Sequence, residues 1–245
     1  MDRIFYFSST GNSLYIAKRI ALRLGSVPEY IPKTSERSIE ADRVVVVSPV
    51  YSFGLPTQVF DFLSELRSDA PLYVVLNYGG VACGADRLTY DLCAERGLNI
   101  RAVFKLKMVE NYTLSFTVPK LYQKMTLKKA PSRVDALIAQ IEAGASFSPR
   151  VRKSKSDVYE KNKANWHLIG KRLSTTDGCT LCGKCAALCP SSNISIKDGR
   201  VVFGDGCTAC LGCYHRCPQR AIRYMNKRKR DRYICPLVNE SEIGK

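Results

Sequence analysis

A cysteine pattern that occurs twice in the last third of the chain constrains its fold more than any other feature. Each copy has the form CxxCxxCxxxCP, and the two copies begin at Cys179 and Cys207. A cubane iron–sulfur cluster needs four thiolate ligands, and a CxxCxxC loop supplies three of them to one cluster. The fourth cysteine, which precedes proline, cannot fold back onto that cluster and ligates the other one. The pattern therefore predicts two four-iron clusters with crossed ligation.

The crossed pattern assigns each of the eight cysteines to one cluster. The first cluster takes Cys179, Cys182, Cys185 and Cys217, and the second takes Cys207, Cys210, Cys213 and Cys189. Structural zinc is the other interpretation, since paired CxxC thiolates suit a tetrahedral zinc site. Zinc would leave the third cysteine of each triplet and both CP dipeptides without a role, so the iron–sulfur interpretation is favoured.

Over about 50 residues, this part of the chain resembles the bacterial-type two-cluster ferredoxins, with all eight ligand positions filled. The resemblance implies a small α+β domain whose two 4Fe-4S clusters transfer single electrons at low potential. The three other cysteines, Cys83, Cys93 and Cys235, are more typical of buried or half-buried thiols than of ligands or catalytic groups.

The composition is that of an ordinary globular protein. Of the 245 residues, 45% are apolar and 24% are charged, and no apolar run is long enough to span a bilayer. The odd count of 11 cysteines, without a signal-peptide pattern at the N-terminus, argues against a disulfide framework and for metal or redox chemistry. We therefore expect a cytoplasmic protein of one or two domains.

The first half of the chain alternates between strand and helix patterns. Apolar runs at 4–7, 44–47, 72–76 and 100–108, with a shorter one at 27–31, predict five strands. Apolar residues at helical spacing predict helices ending near residue 24, at 56–66, at 84–96 and at 134–141. Strands that alternate with helices favour an α/β fold, a doubly wound parallel sheet that is covered on both faces.

The first predicted strand runs into a loop rich in hydroxyl groups and then directly into a helix. The loop consists of Ser8, Ser9, Thr10, Gly11, Asn12 and Ser13. Backbone N–H groups at a helix N-terminus, several hydroxyls and a glycine that permits close approach form a phosphate site without lysine. A capped strand-to-helix turn is the simpler interpretation, but capping needs only one Ser or Thr.

This loop resembles the [S/T]-x-T-G-x-[S/T] loop of flavodoxins, with Ser8, Thr10, Gly11 and Ser13 at its specified positions. The resemblance implies an FMN site at the carboxyl ends of the strands, where such folds bind their ligands. Two more strand-end loops are similar to those of the family and supply the candidate flavin contacts Pro49, Tyr51, Phe53, Asn77, Tyr78 and Gly79. For each aromatic side chain taken alone, ordinary loop packing explains its position equally well.

The formal net charge of +16 departs from typical flavodoxins, which are acidic. Basic residues concentrate at 148–175 and after residue 226. They are interpreted as solvated charge near anionic cofactors, as a docking surface for acidic redox proteins, or as a nucleic-acid site. The nucleic-acid interpretation is the least favoured, because no reading element or aromatic base platform accompanies the charge. His215, inside the second cysteine motif, is a candidate hydrogen-bond donor to a cluster sulfur.

The chain as a whole resembles the flavodoxin–ferredoxin fusion proteins of anaerobic bacteria and archaea. The resemblance implies a flavodoxin-like FMN-binding domain at 1–147, a basic connector at 148–175, a ferredoxin-like domain at 176–226 and a basic tail at 227–245. It implies a protein that relays electrons between FMN and two 4Fe-4S clusters and on to redox partners with acidic docking surfaces. No catalytic side chain is assigned.

Two alternatives stay open. The first is a flavin- and iron–sulfur-dependent reductase of a small substrate, whose pocket would come from residues 112–130. The second is a cluster-based regulator that binds nucleic acid through the basic surface, with salt-dependent affinity.

Overall fold

Five parallel strands form the central sheet of the protein in the computed structural model, which describes residues 1–150, 153–225 and 231–245. The strands are β1 (Arg3–Tyr6), β2 (Pro28–Tyr30), β3 (Val44–Pro49), β4 (Leu72–Tyr78) and β5 (Ile100–Lys107). Their spatial order is β2-β1-β3-β4-β5, and all four pairings are parallel. The predicted five-stranded parallel sheet is therefore confirmed. Because the strand order reverses beside β1, a crevice for ligands lies at the carboxyl ends of β1 and β3.

Helices cover both faces of this sheet. They are α1 (Asn12–Leu24), α2 (Thr57–Glu65), α3 (Ala85–Glu95) and α4 (Lys120–Glu142). Because side chains alternate along a strand, Ile4 and Tyr6 of β1 pack in the core with α1 and α4, whereas Phe5 and Phe7 pack with α2 and α3. Two separate hydrophobic cores result, one on each face.

Helix α4 is much longer than the sequence predicts. The apolar spacing predicted a helix only at 134–141, and a proline at position 131 is typical of a helix boundary. In the structure α4 begins at Lys120 and contains Pro131. Ala130 and Val134, on either side of the proline, are fully buried in the core, so packing holds the helix together where the backbone hydrogen bond is lost.

The cysteine-rich part of the chain consists of two similar halves. The elements are β6 (Leu173–Thr175), α7 (Lys184–Ala187), β7 (Ile194–Lys197), β8 (Arg200–Phe203), α8 (Gly212–His215) and β9 (Ile222–Tyr224). The outer strands β6 and β9 pair antiparallel, and so do the inner strands β7 and β8. Each half therefore has two strands around one short helix, and each contains one cysteine motif.

The segment expected to be a basic connector is packed against the sheet domain. It contains α5 (Ser156–Ala164) and α6 (His167–Lys171), and its last residues belong to β6. Tyr159 is fully buried, and its hydroxyl donates a hydrogen bond to the Leu55 carbonyl at 2.8 Å. Its ring fills the space beside Gly54, because a Cβ at Gly54 would lie 2.3 Å from Tyr159 Cδ2. Arg152, which contributed to the expected basic character, lies outside the described residues.

The segment expected to be a basic tail also packs against the sheet domain where the structure describes it. Tyr233, Cys235 and Ile243 are buried in the core that contains α1 and α4. The apolar residues that alternate with the charged ones in 232–245 account for this packing. The basic run at 227–230 lies outside the described residues. Among the described residues, no helix has the length and apolar character needed to cross a membrane.

Two alanine substitutions on α1 test which face of the helix stabilises the fold. Ile16 is fully buried, so Ile16→Ala should lower the free energy of unfolding by about 2–5 kcal/mol. Leu22 is 85% exposed, so Leu22→Ala should change it by less than about 0.5 kcal/mol. Urea denaturation of matched preparations, followed by circular dichroism, measures both values. Equal losses in the two variants would contradict the assigned packing.

Candidate functional site

Residues 8–13, called here the 8–13 loop, connect β1 to α1, include the first two residues of α1 and are buried throughout. Gly11, at the N-cap position of α1, has a φ of 97°, a backbone conformation that favours glycine. Its N–H donates a hydrogen bond to Ser8 Oγ at 3.0 Å. The first turn of α1 contains no acidic residue. The helix N-terminus is therefore electrostatically suited to an anion.

Side-chain hydrogen bonds connect this loop to the ends of the neighbouring strands. Asn77 Nδ2 donates to Ser13 Oγ at 2.7 Å, and Asn111 Nδ2 donates to Thr10 Oγ1 at 2.6 Å. The hydroxyls of Ser9 and Tyr51 lie 3.3 Å apart. Because the oxygens of Ser13 and Thr10 accept from amides, both hydroxyls keep a proton to donate.

A cavity of about 340 Å³ lies at the same edge of the sheet. Predominantly apolar side chains line it, including two of the predicted flavin contacts, Tyr51 and Phe53. The complete lining is Val50, Tyr51, Ser52, Phe53, Gly80, Val81, Glu110, Asn111, Tyr112, Phe116, Asn162, Trp166, Ala209, Cys210 and Leu211. The other predicted contacts, Pro49, Asn77, Tyr78 and Gly79, lie at the ends of β3 and β4 and not in this lining.

A tight turn positions the two predicted aromatic residues. Tyr51 and Gly54 exchange two backbone hydrogen bonds of 2.9 Å. Ser52 and Phe53, between them, have φ angles of 49° and 72°, which cost energy in residues with side chains. The Tyr51 ring meets Trp166 edge-on at 6.1 Å between ring centroids. Such strain is typical of functional sites, and here it directs Phe53 into the cavity lining.

Glu110 organises the loop after β5, and its role was not predicted. Its Oε1 accepts hydrogen bonds from the N–H groups of Asn111 and Tyr112 at 2.9 and 2.8 Å, and its Oε2 accepts one from Gly80 N–H at 3.1 Å. Gly79 approaches so closely that a Cβ would lie 2.2 Å from the Glu110 Cα. The partners of Glu110 are backbone groups, which leave no side-chain pattern in the sequence.

The eight predicted ligand cysteines line two small pockets. One pocket contains Cys179, Cys182, Cys185 and Cys217, and the other contains Cys189, Cys207, Cys210 and Cys213. The last cysteine of each motif thus lies with the first three of the other motif. These two groups have the same membership as the crossed assignment made from the spacing.

The backbone has the same unusual conformation in both cysteine motifs. Directly before the second cysteine of each motif, Leu181 and Ala209 have positive φ angles of 55° and 57°. Three residues after the last cysteine, Ser192 and Arg220 have φ angles of 49° and 50°. Four residues after that last cysteine, Asn193 N–H donates to Cys189 Sγ at 3.2 Å, and Ala221 N–H donates to Cys217 Sγ at 3.3 Å. The two sequence repeats therefore form two loops with the same backbone conformation, each with a backbone N–H group that donates a hydrogen bond to a cysteine sulfur.

The second cysteine group lies deeper than the first and adjoins the 340 Å³ cavity. Burial raises the pKa of the Cys210 thiol to about 12, so a bare thiolate there is unfavourable. Cys210 and Leu211 line the cavity, and a Cβ at Gly212 would lie 3.5 Å from Ser9 Cβ. In the first group, Cys182 is exposed.

Within the parts of the chain that the structure describes, no three His, Cys, Asp or Glu side chains converge closely enough to hold a single metal ion. A four-iron cluster places each of its four thiolates on a different iron atom, so its ligands lie further apart than those of a single ion.

His215 does not have the role expected from its place in the motif. Its Nε2 donates a hydrogen bond to the Asn111 carbonyl at 2.9 Å, and its Nδ1 accepts one from Tyr233 N–H at 3.2 Å. Burial lowers the pKa of His215 to about 4, which keeps the ring neutral. Because both ring nitrogens already have partners, the predicted hydrogen bond to a sulfur is wrong. His215 instead connects the second cysteine motif to the Glu110 loop.

Residues 233–243 cover the 8–13 loop, which the sequence did not predict. Cys235 N–H donates to the Thr10 carbonyl at 2.8 Å, and the Tyr233 hydroxyl donates to Asn12 Oδ1 at 2.7 Å. A Cβ at Gly11 would lie 2.8 Å from Val238 Cγ2. A side chain at position 11 would therefore displace this cover.

Comparison with protein families gives a match to the flavodoxin domain over residues 3–78. These residues include β1 to β4 and the 8–13 loop. The N-terminal part of the chain is therefore a flavodoxin-like domain. Comparison with curated proteins gives no match.

Solved structures with a similar chain path include a Fusobacterium nucleatum flavodoxin variant bound to flavin mononucleotide. It is 16% identical, with coverage of 59% of this chain and 96% of that chain, and a TM-score of 0.40. Megasphaera elsdenii flavodoxin is 19% identical, with coverages of 43% and 85% and a TM-score of 0.36. Rubredoxin oxygen:oxidoreductase from Desulfovibrio gigas is 18% identical, with coverages of 57% and 36% and a TM-score of 0.36, so the match spans about a third of that protein.

Proposed function

We propose that this protein transfers electrons between an FMN in its flavodoxin-like domain and two 4Fe-4S clusters in a ferredoxin-like domain, and on to redox partners. The observation that supports this most is the shared cavity. Its lining combines strand-end loops of the sheet domain with Cys210 of the second cysteine group and the adjacent Leu211. A flavin ring bound there would have a cluster ligand as its neighbour.

The residues around the 8–13 loop fit the phosphate of FMN. The free hydroxyl protons of Thr10 and Ser13, and the N–H groups at the start of α1, are donors, and the first helical turn has no carboxylate to repel the anion. We propose Ser8, Ser9, Thr10, Gly11, Asn12 and Ser13 as the phosphate site.

The cavity fits the ring of a flavin. Tyr51, Phe53, Tyr112 and Trp166 give it aromatic walls. Bound FMN accepts or donates one or two electrons, whereas a 4Fe-4S cluster transfers one. The protein's own part is to hold both groups at a fixed separation and to keep water from the ring.

The two cysteine groups fit 4Fe-4S clusters. Each pocket contains four thiols, and backbone N–H groups donate to the sulfurs of Cys189 and Cys217. Such hydrogen bonds stabilise thiolate charge and raise the reduction potential of a cluster. We propose the group beside the cavity as the inner cluster, and the group with exposed Cys182 as the one that exchanges electrons with partners.

The domain assignment follows from this proposal. The flavodoxin-like domain comprises residues 1–147. The ferredoxin-like domain comprises 176–226 together with β6, which pairs with β9. Residues 153–172 and 231–245 join the two by packing on both. Because exposed clusters react with oxygen, an anaerobic cytoplasm is the expected setting.

Stepwise chemical reduction of anaerobically purified protein tests the relay. We expect flavin bands in the visible spectrum to bleach together with the broad absorbance of about two clusters per chain. Cluster absorbance without flavin bands, even after FMN has been added, would rule out the relay while leaving the cluster assignment intact.

Paired cysteine variants test the crossed ligation. Cys179→Ala/Cys217→Ala removes two ligands of one cluster, so the chain should keep roughly half of its iron. Cys179→Ala/Cys189→Ala affects both clusters and should remove nearly all of it. Cys83→Ala is the control with full iron content. Iron per chain is measured after anaerobic reconstitution, and the opposite order of the two double variants would show that each motif binds its own cluster.

The variant Thr10→Val tests the phosphate site. Loss of one hydrogen bond to a charged group should weaken FMN binding by roughly 10- to 100-fold. Riboflavin, which has no phosphate, is the matched control ligand and should bind the variant and the parent protein with similar affinity. Flavin fluorescence measures both affinities. An equal loss for the two ligands would place the effect in the ring site.

A flavin-dependent reductase is the second candidate function. The observation that favours it is that Tyr112 and Phe116, from the segment expected to form a substrate pocket, line the same cavity. A small molecule that oxidises the reduced protein with saturation kinetics would support it over the electron carrier.

A further inference from the structure

The first half of α4 exposes large apolar side chains in one place. Leu121 is 71% exposed and Met125 is 52% exposed, and they lie one helical turn apart on the same face. Phe116, just before the helix, is 57% exposed. Single exposed apolar residues are common on protein surfaces, but a group of three marks an interaction site more often.

The chain segment that carries this apolar group contains only positively charged side chains. Residues 111–134 contain no Asp or Glu, whereas Lys120, Lys124, Lys128, Lys129 and Arg133 lie among them. Lys120, Lys124 and Lys128 recur every four residues and form an exposed row along the helix. None of the ion pairs formed by the residues that the structure describes involves these three lysines.

Elsewhere on the same face of the sheet, charges are paired. Arg19 and Arg23 of α1 form ion pairs with Asp135 and Glu142 in the second half of α4, and Lys18 forms one with Glu242. The row of lysines without ion pairs is therefore confined to the first half of α4. We name the exposed residues Phe116, Lys120, Leu121, Lys124, Met125 and Lys128 the α4 surface.

The α4 surface begins at the cavity that the proposed function assigns to the flavin ring. Phe116 belongs to both, and the exposed Val81 lies in the cavity lining beside it. Lys107 Nζ lies 5.7 Å from the centre of the Tyr122 ring, which ties the first turn of α4 to the end of β5. A protein docked on the α4 surface would therefore contact the cavity mouth.

From these observations we infer that the α4 surface is the docking site of an acidic redox protein that exchanges electrons at the cavity. An apolar centre with a charged rim is typical of protein–protein interfaces. A row of unpaired lysines attracts a partner of opposite charge and speeds its association. The inference rests on the proposed function, because the cavity is an electron-transfer site only if it holds the flavin.

The exposed Cys182 lies on the other cysteine group, away from this cavity. The protein thus has two separate places for partners, the α4 surface at the flavin and the outer cluster. One partner can dock at each without competing for the same residues.

Binding of a purified acidic two-cluster ferredoxin to the full-length protein with its cofactors tests the inference. Isothermal titration calorimetry gives the dissociation constant at low and high salt. The variant Lys120→Glu/Lys124→Glu/Lys128→Glu should weaken binding by at least about 10-fold and flatten its salt dependence. Leu121→Gln/Met125→Gln should weaken binding while leaving the salt dependence unchanged.

A matched control separates docking from net charge. Lys33, Arg67 and Arg96 are exposed and lie outside the α4 surface, so Lys33→Glu/Arg67→Glu/Arg96→Glu changes the net charge equally. This control should alter the dissociation constant by less than about 3-fold. Equal weakening by both triple variants, no effect of the α4 variants, or no binding by the parent protein would overturn the inference.

Two further measurements keep the outcomes distinct. Tighter binding of a DNA duplex or of anionic lipid vesicles than of the ferredoxin would overturn the choice of partner. Flavin and iron contents are determined for every sample. Protein without flavin contradicts the proposed function, whereas protein with full cofactors and unchanged binding in the α4 variants contradicts only the docking site.

Discussion

The close contact between the second cysteine loop and the carboxyl edge of the sheet is the interaction on which the rest of the site depends. A Cβ at Gly212 would lie 3.5 Å from Ser9 Cβ, an ordinary van der Waals distance, so the second cysteine loop packs directly against the 8–13 loop. Two hydrogen bonds connect the two parts of the chain. Gln58 Nε2 donates to Thr208 Oγ1 at 3.0 Å, and His215 Nε2 donates to the Asn111 carbonyl at 2.9 Å. The cavity lies between these fixed points, so its shape depends on both halves of the chain.

The carboxylate of Glu240 also connects two parts of the chain, residues 233–243 and the cysteine-rich part. Glu240 accepts a hydrogen bond from Lys184 of α7 at 2.6 Å and lies 3.7 Å from Arg216 Nε. The Arg216 side chain is buried, and burial lowers its pKa. Because a buried charge without a partner is costly, Glu240 favours the arrangement in which residues 233–243 and the cysteine-rich part lie together.

Short-range patterns made much of this structure predictable. The Val44–Pro49 strand and the cysteine spacing are local signals, and each leads to one arrangement of the backbone. The cover formed by Tyr233 and Cys235 was not predictable, because a few apolar residues among charged ones have no period. Glu110 was missed for a different reason: its partners are N–H groups, which every residue but proline has. Packing across the sheet, which the sequence does not display, decided the length of α4.

The cover over the 8–13 loop has a consequence for the order of folding. Asn12 and Tyr233, which hydrogen-bond to each other, are 221 positions apart in the chain. Contacts between such distant residues form late, because a long loop must close before they are gained. The strand β1 pairs with β2 and β3, which lie within the first 49 residues, so its pairing closes much shorter loops than the cover does. The cover of the 8–13 loop is therefore expected to close only after this part of the sheet has formed.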